Sequence, residues 1–183
     1  RLKLHILSSF FEHFIHKIVY SDKCDIYPNK LINMKKDESV ESVPFVDLDK
    51  YMGVWYEIGR YPCWFEKGAS HVKVEYTLRD NYVEVINRCI KKGKESYVTG
   101  KAYVMPDSGN AKLKVRFKWP FQGDYWIIDL DEDYSWAAVS NPKKTRLWIL
   151  YREPNVTNEL LRLIAKRVIQ KGFNSAKIIW TEQ

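Results

Sequence analysis

A chain of 183 residues, 45% of them apolar, can bury one sizeable core and reads as a single domain with an extension. Its net charge of +7 suggests anionic partners, but no helix-turn-helix, zinc-finger or ribonucleoprotein motif is present, and nucleic acid is not expected. No apolar run of about 18 residues occurs, so no membrane-spanning helix is expected.

Residues 1–20 carry Leu2, Ile6, Phe10, Phe14 and Ile18 at four-residue spacing, with Leu7, Phe11 and Ile15 alongside. This is the pattern of an amphipathic helix with a wide apolar face. Such a helix meets a membrane surface, drives self-association, packs on its own domain, or is the remnant of a propeptide. His13 and His16 are three apart, a spacing a metal could bridge, but they also suit a polar helix face, so no metal site is assigned. The chain starts at Arg1 and not at Met, which reads as a processed or trimmed form, with any signal peptide already gone. Residues 21–44 turn polar and read as a linker, so the expected division is an extension over 1–44 and a folded domain over 45–183.

From Phe45 onward, strand-like segments follow one another. They are expected at 54–61, 72–78, 83–87, 97–105, 112–119, 125–130, 134–139 and 147–151. In Lys112–Trp119 four cations alternate with four apolar residues, the period of a strand with one wet and one buried face. The period then changes. Thr157 is a suitable N-cap, Leu160, Leu161, Ile164, Val168 and Ile169 form a helical stripe, and Gly172 is placed to stop it. A short strand over 177–180 ends the chain. The expected fold is all-β: an eight-stranded up-and-down antiparallel barrel with a C-terminal α-helix and an N-terminal helical extension.

Three separated motifs give this pattern a family likeness. Gly53-Val54-Trp55 opens the first strand, Asp129–Tyr134 forms a turn, and Arg152 directly follows Leu147–Tyr151. Over residues 45–183 the chain resembles the lipocalins, and among them the bacterial outer-membrane lipocalins and apolipoprotein D. Tyr51–Ile58, Lys112–Phe117, Tyr125–Ile128 and Trp148–Arg152 carry the likeness. The resemblance implies that Arg152 lies across Trp55 and closes the barrel floor, and that the calyx holds a small hydrophobic molecule. The extension of residues 1–44 is longer than the family's usual one, and the cysteines depart from the apolipoprotein D pattern apart from Cys24.

Strand alternation then suggests the pocket wall. Val74, Tyr76, Val85, Asn87, Val115, Phe117, Trp126 and Ile128 are expected to point inward, either against a ligand or into a packed core. By likeness to apolipoprotein D, Tyr76, Asn87 and Trp126 are the expected ligand contacts. The three cysteines Cys24, Cys63 and Cys89 allow one disulfide, and Cys24 to Cys89 is the expected bridge, with Cys63 left near the mouth. Asn155-Val156-Thr157 is a glycosylation sequon, although Thr157 has a sufficient role as a cap.

No catalytic constellation stands out, so the expected function is binding and transport rather than catalysis, with no cofactor. Fatty acids, lysophospholipids, sterol-like lipids and tetrapyrroles are the expected cargo classes, and the basic surface favours acidic head groups. The alternative is a membrane-associated, self-assembling protein with a largely filled barrel. Expected partners are the ligand, an anionic membrane surface and a second copy through the N-terminal helix. The expected location is secreted or in the lumen of a secretory or vacuolar compartment.

Overall fold

In the computed structural model the described residues are 39–63, 66–117 and 122–183. The expected N-terminal helix, His13, His16 and Cys24 lie outside them.

A short helix, α1 (Leu48–Tyr51), leads into eight antiparallel strands. These are β1 (Gly53–Arg60), β2 (Ala69–Leu78), β3 (Val83–Lys91), β4 (Lys94–Val104), β5 (Lys112–Arg116), β6 (Gln122–Leu130), β7 (Trp136–Ser140) and β8 (Leu147–Tyr151). Helix α2 (Asn158–Gln170), a 3-10 turn over Ser175–Lys177 and β9 (Ile179–Trp180) follow. Each strand from β2 to β7 pairs with the next, β8 pairs with β1, and β1 pairs with β2, so the barrel closes. The hairpin of β3 and β4 runs further than the alternation suggested, because Lys92 and Gly93, at φ 52° and 73°, supply the left-handed pair of a tight primed turn.

The barrel wall separates two cores. Trp55, Val74, Tyr76, Val85, Val115 and Ile127 fill the inside. Ile58, Ile128, Trp136, Ile149, Ile164 and Val168 pack between the wall and α2. The helix has a firm start and stop. Thr157 Oγ1 accepts from Leu160 N at 3.2 Å. At the other end Phe173 N reaches Val168 O and Gly172 N reaches Ile169 O, a Schellman pair made possible by Gly172 at φ 86°. Arg167 of α2 grips Asp129 with two hydrogen bonds of 2.8 and 2.6 Å.

The outer core corrects one part of the expected pocket wall. Trp126 and Ile128 face the α2 side, and Tyr125 and Ile127 face inward in their place. Register decides this: Lys112 stands opposite Trp126 and Leu113 opposite Tyr125. The Lys112 ammonium accordingly lies 4.3 Å from the centre of the Trp126 ring. Both faces of this stretch are buried, so its residues are apolar without alternation and the period carries no direction.

Two end segments seal the barrel. Val43 N bonds Ile127 O and Val46 N bonds Gly109 O, fastening the close of the polar linker to the wall. The last residues fill the gap where β1 and β2 part beyond Tyr56 and Lys73. There Thr181 N bonds Ile58 O, His71 N bonds Glu182 O, and Gln183 Nε2 donates to the Glu57 and Val72 carbonyls.

Candidate functional site: the barrel interior

The lower end of the barrel is a packed floor. Gly53 has φ 93°, and a Cβ there would stand 3.3 Å from Arg152 Nη1, so a glycine lets the guanidinium approach. The Arg152 guanidinium lies 3.8 Å from the centre of the Trp55 ring. It donates to Lys50 O at 2.7 Å, Val54 O at 3.0 Å and Tyr134 O at 3.3 Å. Trp55 Nε1 donates to Tyr51 O at 2.8 Å. Helix α1, β1 and the turn before β7 thus meet on one side chain.

Above the floor, the hydroxyls of Tyr51 and Tyr76 each lie 2.7 Å from that of Tyr125. Burial pushes all three phenols well above their ordinary pKa, so they are neutral donors and acceptors. The void among Tyr51, Met52, Tyr76, Leu113 and Val115 is about 10 Å³, the space of one water. The floor end is filled by the protein's own rings.

Toward the mouth the cover thins. Val85, on the inner face of β3, is 3% exposed, whereas Val98, on the inner face of β4, is 44% exposed. Asn87 stands between them, opposite Val74 on one side and Val98 on the other. Phe117 leans over Gly100, whose Cβ position is 2.7 Å from the ring. Of the expected wall residues, Val74, Tyr76, Val85 and Val115 are inside and buried, and Asn87 faces inward nearer the mouth. Cys89 faces inward two residues further along as a free thiol, and Cys24, its expected bridging partner, lies outside the described residues. Its side of β3 is turned to the lumen, where burial, helped by Glu66 and Glu57, pushes the thiol pKa up.

The interior also holds a charged group that strand alternation did not bring out. Glu57 and Arg60, three apart, would face opposite sides of a regular strand. A bulge between Glu57 and Gly59 turns both inward, so Glu57 stands opposite Leu150 and Arg60 opposite Trp148. They are 3% and 4% exposed. Arg60 Nη1 donates to Glu57 Oε1 at 2.6 Å, and Arg60 Nε lies 3.6 Å from Glu66 Oε2. Trp148 Nε1 donates to Glu66 at 3.3 Å. Burial raises the Glu57 pKa, and burial together with the charge of Glu57 raises that of Glu66 to about 7. A Glu in the middle of a strand whose neighbours are buried was the sequence clue to this cluster.

A family profile described as a lipocalin-like domain matches residues 46–183. The chain belongs to the lipocalin family. This lipocalin is 37% identical to the outer membrane lipoprotein Blc of Vibrio cholerae over 164 residues, covering 87% of this chain and 95% of that one. It is 32% identical to temperature-induced lipocalin-1 of Arabidopsis thaliana, covering 82% and 86% of the two chains. With apolipoprotein D of Bos taurus it shares 31% identity over 75% of this chain and 77% of the other. Among solved structures, insecticyanin from Manduca sexta superposes with a TM-score of 0.65 over 79% of this chain and 84% of its own, at 18% identity, which is a likeness of fold. The eight-stranded closed barrel and its C-terminal helix are the lipocalin architecture.

Proposed function

We propose that this lipocalin binds a small hydrophobic molecule in the upper half of its barrel and carries it as a secreted or membrane-associated protein. The observation that carries the reading is the gradient of cover along the inner wall, from Val85 at 3% exposed to Val98 at 44%. Below Val85 the interior is closed by tyrosines; above it, apolar side chains and Asn87 face the lumen. Each 100 Å² of ligand surface buried there contributes about 2.5 kcal/mol before the entropy of association is subtracted. The packed floor favours a short or flexible apolar moiety over one that reaches the bottom. The amphipathic pattern of residues 1–20 supports a membrane surface or a second copy as a further partner of that segment.

Trp148 faces the lumen and Trp55 the floor, so intrinsic fluorescence should report occupancy. Delipidated protein titrated with a panel of fatty acids, alcohols and lysophospholipids is expected to show a saturable change with at least one. A flat response across the whole panel would remove the carrier reading.

A further inference from the structure

The buried charges are unevenly supplied with partners. Four of the five N–H donors of Arg60 are engaged: Nη1 donates to Glu57 Oε1 at 2.6 Å and Thr181 Oγ1 at 3.0 Å, and Nη2 to the Glu66 and Ala69 carbonyls at 3.1 and 3.3 Å. Its Nε faces Glu66 at 3.6 Å. The carboxylates have less. Thr181 also bonds Glu57 through Oε1, at 2.8 Å, which leaves Glu57 Oε2 without a donor among the described residues. Glu66 shares one indole N–H between its two oxygens, at 3.3 and 3.4 Å. Among the described residues two carboxylates therefore share one guanidinium within ion-pair distance. Arg146 reaches Glu66, and Lys91 reaches Cys89, through longer-range fields.

We propose that Glu57, Glu66 and Trp148 form a head-group subsite in the calyx that takes a cationic amphiphile: an ammonium or quaternary amine on an apolar tail. The proposal rests on the calyx-binding reading above and names the ligand class for it. An incoming cation completes the charge balance that Arg60 leaves short, and the Trp148 indole beside the carboxylates suits it. A ligand carboxylate, by contrast, finds both Nη groups of Arg60 already engaged and its Nε turned to Glu66, and faces two like charges. The lumen thus prefers the opposite sign to the one the +7 surface would draw in from solution.

The test compares dodecyltrimethylammonium, dodecanol and dodecanoate, each below its micellar concentration, near pH 8 so that Glu66 is ionised. Salt of about 0.5 M shortens the screening length to about 4 Å and suppresses the surface term without reaching a buried site. The ammonium is expected to bind about tenfold more tightly than the carboxylate, with the alcohol between them. Glu57→Gln and Glu66→Gln should each cut that ratio to about threefold or less. Glu66 lies in the loop before β2, so Glu66→Gln carries the test if Glu57→Gln folds poorly. Equal or tighter binding of dodecanoate, or an unchanged ratio in Glu66→Gln, overturns the proposal. Dodecanol binding without head-group discrimination removes this inference alone, whereas no binding by any of the three removes the calyx reading with it.

Discussion

Replacing Arg152 by methionine tests how the barrel floor is held. The substitution keeps much of the side-chain volume and removes a guanidinium centred 3.8 Å from the Trp55 ring. That contact is worth about 0.5–2 kcal/mol at a partly exposed site. Three donated hydrogen bonds go with it, to Lys50 O at 2.7 Å, Val54 O at 3.0 Å and Tyr134 O at 3.3 Å. Water can reach these rim carbonyls once the side chain is gone, so each bond contributes about 0.5–1 kcal/mol rather than the full value for a charged donor. The expected loss is roughly 2–5 kcal/mol in urea unfolding, or roughly 5–20 °C in Tm for a domain of this size. Arg152→Lys should recover part of it, because the charge stays near the ring while the planar fork that reaches three carbonyls is lost. A loss below about 1 kcal/mol for methionine would refute the floor clasp. Equal losses for lysine and methionine would show that the fork, and not the cation on the indole, does the holding.

Other perturbations read different parts of the molecule. The folded pKa of Glu66, about 7, lies above its ordinary 4.5, so its contribution to stability is lost as pH rises from about 4.5 through about 7. Glu66→Gln should flatten the stability curve between pH 5 and 8 by at most about 3 kcal/mol, measured by urea unfolding at both ends; parallel curves would refute the shift. Gly109→Ala places a Cβ into the Pro44 carbonyl at a residue with φ 56°, and should cost about 2–4 kcal/mol while releasing residues 40–46 to proteolysis. An intact, protease-resistant Gly109→Ala variant would show that the segment is not seated there. Asp129→Ala removes both hydrogen bonds to Arg167 and should lower stability by about 1.5–3 kcal/mol, with α2 amides exchanging faster than those of β3.

What could be read from the chain tracks where one face of an element is wet. Lys112-Leu113-Lys114-Val115-Arg116 alternates because its lysines and arginine meet water, and its inner residues were assigned correctly to the barrel. The α2 stripe was equally plain, since Thr157 and Gly172 mark its ends and its outer side is solvated. Alternation failed for Tyr125-Trp126-Ile127-Ile128, which is apolar on both sides because α2 covers the outer face. Only pairing with β5 decides which side faces in. Tyr51 was hidden for another reason: it reaches the interior from α1, outside any strand, and the three-tyrosine cluster needs α1, β2 and β6 together.

The opening motif and the charged cluster lie on the same strand and divide its work. Gly53 and Trp55 follow regular alternation, and that regularity places the indole under Arg152 at the floor. Two residues later Glu57 keeps the same inward face, and the bulge before Gly59 then shifts the parity so that Arg60 joins it. Without the bulge Arg60 would point toward the α2 side, Glu57 would be a buried carboxylate without a counter-charge, and the strand would be far less stable. The extra residue satisfies Glu57 only in part, since Arg60 must also hold the carbonyls of Glu66, in the loop before β2, and of Ala69 at the start of β2. A single guanidinium that anchors a loop and serves two carboxylates leaves an acidic surplus inside a basic protein. The floor of β1 therefore fixes the architecture, and the bulge three residues above it sets which charges face the lumen.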